Sequence, residues 1–150
     1  MTSHLARLFE RDLEALKREI LAYANEQHLW VVDGGIANPA GNLALHLAGN
    51  LRHYIGAMLG NTGYIRDRHA EFHDRDVSRA GILEQIDLAA ADIRGVLPGL
   101  TEEQLHAPFP QEVLGYPMST QYFLIHLYGH FNYHLGQINY HRRLLSTLPR

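Results

Sequence analysis

Residues 126–141 read HLYGHFNYHLGQINYH and place His126, His130, His134 and His141 within a few helical turns. Imidazole can ligate a metal, shuttle a proton or hydrogen-bond inside a core, and the spacing narrows the choice. At 100° per residue, with His126 at zero, His130 falls near ~40°, His134 near ~80°, Gln137 near ~20° and His141 near ~60°. All five share one stripe with Phe123, Leu127, Ile138 and Leu145 nearby, so the stripe faces a core rather than water. Buried imidazoles need partners, and a metal ion is one. Residues four apart on a helix rise about 6 Å, and their ring nitrogens can meet one ion at about 2.0–2.1 Å. His126 and His134 lie about 12 Å apart along the axis, so one ion does not take all three. The choice at this point is 126/130, 130/134 or a pair involving neither.

Other metal patterns match less well. A metalloprotease helix would read His-Glu-x-x-His, but Phe131 stands at the acid's position. A ferritin-like di-iron site needs two Glu-x-x-His helices, and only Glu103 and His106 have that spacing. There is no cysteine, which removes disulfides, thiolate ligands and a cysteine nucleophile. Any metal must be held by His, Asp or Glu.

The segment GHFNYHLGQINYHRRLL, with His130 and His134 followed by Gly136 and Gln137, resembles the C-terminal helix of the DinB/YfiT-like metalloenzymes. The stretch NLALHLAGNL, with His46, resembles the helix-2 motif that carries the third ligand in that family, and Trp30 precedes it. The resemblance extends over essentially the whole chain. It implies a metal site of His46, His130 and His134, with His126, His53, Asn50, Gln137 and His141 as pocket-lining or ligand-orienting groups. Asn42 and Asn50 flank His46 by four residues and are placed to orient it. Three neutral imidazoles leave a divalent ion with an open position, the mark of a catalytic rather than a structural site. Zn or Ni is the first expectation, with Fe or Mn as alternatives. Relatives that use low-molecular-weight thiols imply a metal-dependent thiol S-transferase acting on small electrophiles. The competing reading is a non-enzymatic, stress-related bundle that binds a metal or small ligand, and a third is a structural bundle with a polar histidine core. No catalytic base is identifiable; His126, His53, Tyr133, Tyr128 and Glu112 qualify by residue type only.

The elements that must position these groups are helical throughout. Leu5, Leu8, Phe9, Leu13, Leu16, Ile20 and Tyr23 recur in steps of three and four, which predicts a helix over about residues 3–27. Asp33-Gly34-Gly35 is a turn, and Asn38-Pro39 starts a second helix that runs to about residue 59. YIRDRHAEFHDRD, residues 64–76, reads as a charged loop. Ser78 caps a third helix over about 79–96, Thr101 starts one short turn, and a last helix runs from about Ser119 to Leu148. The expected fold is all-α: one domain over residues 1–150, a four-helix bundle with long connections, one of them a crossover.

Composition sets the outer bounds. The net charge is −3 with a single lysine, Lys17, and no basic run, so no nucleic-acid partner is expected. The N-terminal segment has no apolar h-region and no stretch approaches 18 apolar residues, so no membrane partner is expected and a cytoplasmic location is. His4, His28, His69, His73 and His106 read as surface residues. The partners expected are a small-molecule substrate and a second copy of the chain, with Tyr54, Met58 and Leu59 as the apolar area for a homodimer.

Overall fold

The computed structural model describes residues 1–147. They form six α-helices and no strand; an isolated bridge joins Pro108 to Ser119. Helix α1 spans Thr2–Leu21. Its spaced apolar residues Leu5, Phe9, Leu13, Leu16 and Ile20 are all buried. It stops six residues short of the predicted end because Asn25 leaves helical geometry. Its side chain accepts from the Gln27 amide and caps a separate 3₁₀ turn, Glu26–Trp30.

Helix α2 begins at Ala40–Leu51, with Pro39 rather than Asn38 at the N-cap position and no side-chain cap. All but one of those twelve residues is buried, and small side chains make that possible. A Cβ on Gly41 would lie 2.7 Å from the Trp30 ring, and one on Gly49 would collide with the Glu71 carboxylate. The helix continues through a π-helical segment, Arg52–Ala57, and a last turn, Met58–Gly60, before Asn61 ends it with a left-handed φ of 50°. The widened turn carries less rotation per residue, and such insertions recur beside functional sites. It seats Tyr54 against Phe123, with ring centroids 5.0 Å apart.

The segment 64–76 is not the loop its charge suggests. Asp67 accepts from the Ala70 amide and caps helix α3, Arg68–His73, which packs on α2 with Glu71 buried. Ser78 caps α4, Arg79–Val96, as predicted. Thr101 and Gln104 close a reciprocal capping box on α5, Glu102–His106. Ser119 caps the last helix, α6, Thr120–Leu145. The predicted end at Leu148 lies outside the described residues. The chain between α5 and α6 is tied back by Phe109 N–H to Met118 O at 2.8 Å and Thr120 N–H to Ala107 O at 2.9 Å, which delivers Phe109 into the Tyr54–Phe123 cluster.

Helix α1 packs on α4 and α6, and α2 packs on the same two. Helices α1 and α2 therefore stand diagonally across the core, as do α4 and α6, and the long connections 1→2 and 4→6 cross it. Tyr54 is buried, and Met58 and Leu59 are partly buried against the core. The surface expected to pair two copies is thus consumed within one chain. None of the described helices is long and apolar enough to cross a membrane.

Candidate metal centre

His46 comes from the buried face of α2, and His130 and His134 from adjacent turns of α6. Packing of α2 on α6 brings the three imidazoles together. Their ligand nitrogens all lie within 4.8 Å of one another, and His46 Nε2 is 3.1 Å from His130 Nε2. His130 and His134 rings sit edge to face with centroids 4.6 Å apart.

The outer nitrogens define the inner ones. His46 Nδ1 lies 3.0 Å from Glu71 Oε1, and a carboxylate only accepts, so Nδ1 carries the proton and Nε2 presents its lone pair. His134 Nδ1 lies 2.7 Å from Gln137 Oε1, which fixes the same tautomer if that oxygen is the amide carbonyl. Two Nε2 lone pairs thus converge with His130. His130 Nδ1 is buried with no hydrogen-bond partner among the described residues. A proton between His46 and His130 would satisfy one pair; a cation engages all three. The donor set, three imidazoles of which His46 and His134 have their far nitrogens held by oxygen acceptors, fits a first-row divalent ion. Two nitrogen–metal bonds laid end to end reach about 4.2 Å, so small ring rotations suffice.

Behind His46, Arg66 grips Glu71 with Nε to Oε2 and Nη2 to Oε1, both 2.8 Å. Burial alone would raise the Glu71 carboxyl. The hydrogen bonds from Arg66 and His46 outweigh it and hold the group below its usual range. Burial, reinforced by neighbouring imidazoles, pushes His130 down to about 3. His134 is also lowered, by burial against the opposing Gln137 contact. The two histidine shifts keep His130 and His134 neutral, the form that ligates.

The centre opens into a cleft of about 590 Å³. His126 and Asn50 line it, and His126 stacks on Phe123 with centroids 5.9 Å apart. Gln137 touches His134 rather than the cleft wall. Asn42 holds α3 in place instead of His46: its Nδ2 donates to the Glu71 and Asp74 carbonyls, both at 2.9 Å. His53 packs on Tyr54, centroids 4.8 Å apart, and is not part of the cleft lining. His141 lies away from the cluster, a core hydrogen bonder between Tyr23 Oη at 2.7 Å and Val31 O at 2.8 Å. Among the acid–base candidates only His126 lines the cleft; Tyr128 donates to buried Asp12 at 2.7 Å, and Tyr133 and Glu112 are exposed. Sequence reasoning missed Glu71 and Arg66. Their only signal is a buried-size acid inside a segment otherwise read as solvated, which six residues of helix do not announce.

The sequence profile of the DinB superfamily matches residues 8–138. No curated protein matches the sequence.

Proposed function

The chain belongs to the DinB superfamily, and on that premise we propose that His46, His130 and His134 hold one divalent ion, Zn or Ni before Fe or Mn, in a thiol S-transferase site. The observation that carries the reading is the convergence of the two oriented Nε2 atoms on His130, backed by the Arg66–Glu71 clamp. An ion held by His46, His130 and His134 would supply an open Lewis-acid position, chemistry that favours the thiolate form of a low-molecular-weight thiol near neutral pH. The protein's own part is to hold the ligands neutral, exclude water with Phe72, Phe123 and Leu127, and confine the electrophile. The sulfur then bonds to the electrophilic carbon as the leaving group departs with its electron pair. His126, which lines the cleft, is the group we assign to protonate it.

We also propose that two copies pair, through the exposed face of α6. Metal analysis of purified wild type and His130→Ala, followed by thiol transfer to a generic electrophile, tests the function. About one ion per chain, lost in the variant, together with turnover, supports the enzyme. Equal metal content in both removes the site. Metal with no thiol ligation and no transfer identifies a binder.

A further inference from the structure

The cleft beside the three imidazoles carries positive charge with no acid in its lining. The chain carries a net charge of −3, yet the cleft is lined by two arginines, Arg66 and Arg68, and by no aspartate or glutamate. Arg66 is committed to Glu71 in a two-pronged ion pair. Arg68 forms no ion pair among the described residues. Its guanidinium lies over the Phe72 ring, 5.1 Å from the centroid. Phe72 in turn packs on His46, centroids 4.7 Å apart. The guanidinium is therefore within about 10 Å of the His46 ring. Stacking restrains the planar head on the aromatic face and leaves its N–H edge available.

We infer that the cleft selects small ligands bearing a carboxylate, which Arg68 receives while the other end of the ligand reaches the three imidazoles. This rests on the metal-site reading and names the substrate class for it. A planar guanidinium matches a carboxylate with two parallel hydrogen bonds. The distance suits a carboxylate a few bonds from the metal-facing atom, and Phe123, Leu127 and Val113 supply an apolar wall for the carbon chain between. With no acid in the lining, nothing in the cleft repels an anion, and a divalent ion on neutral imidazoles adds to the attraction.

The test compares 3-mercaptopropionate with the neutral thiol 2-mercaptoethanol on cobalt-loaded protein, read by the sulfur-to-cobalt absorption band. The expected result is affinity on the order of tenfold higher for the carboxylate, the worth of one partly exposed charge-assisted contact. The preference should shrink with salt and fall to near unity in Arg68→Gln at unchanged cobalt content. Equal affinities in the wild type overturn the inference. So does a preference that survives in Arg68→Gln, since the carboxylate would then be chelating the ion. If the wild type takes up no cobalt, the metal reading fails by itself. Calorimetry of 3-phenylpropionate against 3-phenylpropanol on that same protein then decides the anion question. A carboxylate preference lost in Arg68→Gln supports it, and no preference overturns it.

Discussion

At the scale of single residues, the histidines separate into ligating and structural groups by what holds their outer nitrogens. His46 and His134 each spend Nδ1 on a side-chain oxygen, and His46 turns Nε2 toward His130, whereas His141 spends both nitrogens on Tyr23 and Val31. His134→Ala should therefore lose most metal, and His141→Ala should keep it. The latter should instead lose stability, about 1–3 kcal/mol, because the Val31 carbonyl is left without a partner and Tyr23 Oη keeps only its 3.4 Å contact to the Ile138 carbonyl; metal content and thermal melts of the two variants check both halves. Glu71→Ala removes the acceptor that orients His46 and leaves Arg66 uncompensated, so metal affinity should drop about 10–100-fold, measured by competition with a chelator. The metal-free protein should also be acid-sensitive. The folded His130 is lowered to about 3, while an unfolded histidine titrates near ~6.5. The unfolded state thus takes up a proton first as pH falls. The contribution of His130 is fully present above pH ~6.5 and is lost progressively toward pH 3. Melting temperature across that window should fall less steeply in His130→Gln, and an identical slope would remove His130 as a source. The three candidate ligands were legible only through the family resemblance, because spacing alone left the pairs 126/130 and 130/134 open. Glu71 and Arg66 were not, because a buried ion pair announces itself by neighbours that only the fold supplies.

At the scale of elements, α2 decides the geometry of the centre. Its small buried residues let α3 lie close enough for Glu71 to reach His46, and Gly49 is the point of contact. Gly49→Ala would normally favour the helix by about 1 kcal/mol. Here the added methyl meets the Glu71 carboxylate, which cannot retreat without releasing Arg66 and His46. Overpacking of that kind costs about 1–3 kcal/mol, so the variant should be destabilised and should bind metal more weakly. Gly95→Ala on α4, where the new Cβ meets nothing within 4 Å, is the matched control and should be stabilising by up to about 1 kcal/mol. Denaturant midpoints and metal titrations of the pair separate a clash at Gly49 from a general effect of losing glycine. The same element shows what patterning can convey. Helices α4 and α6 began where Ser78 and Ser119 said they would, because a cap is a local signal. The end of α1, the π-helical stretch of α2 and the existence of α3 depended on long-range contacts and on Asn25 competing for its own backbone.

At the scale of the whole molecule, the outer face of α6 is the feature that one chain leaves without a role. Tyr122, Ile125, Tyr133, Tyr140 and Leu144 are each exposed by half to two-thirds. Gly129 and Gly136 lie between them with open space above. The steps 3, 4, 4, 3, 4, 4 from residue 122 to 144 keep all seven on one stripe, the pattern of a helix-pairing seam. Helix α6 contains no acidic residue, and its basic residues are confined to the last turn. A fully buried aromatic side chain covers about 150–250 Å², so five large side chains at this exposure offer on the order of 500–600 Å² per chain. Twice that clears the ~1,000 Å² expected of a specific interface. The stripe is also self-complementary about its middle. In an antiparallel pair centred on Tyr133, Tyr122 of one copy faces Leu144 of the other, the glycines of the two copies lie at nearly the same level and let the helices approach, and both copies use the same surface, as a two-fold dimer requires. Such pairing would run beside the histidine flank of α6 without needing any metal ligand. Sedimentation at micromolar concentration should therefore report a species of twice 17.0 kDa. Tyr133→Glu places two like charges face to face at the centre of the seam and should convert the protein to monomer while its helical content and metal stoichiometry stay unchanged. A wild type that sediments only as a monomer would leave this face unpaired. A dimer indifferent to Tyr133→Glu would locate the contact on another surface.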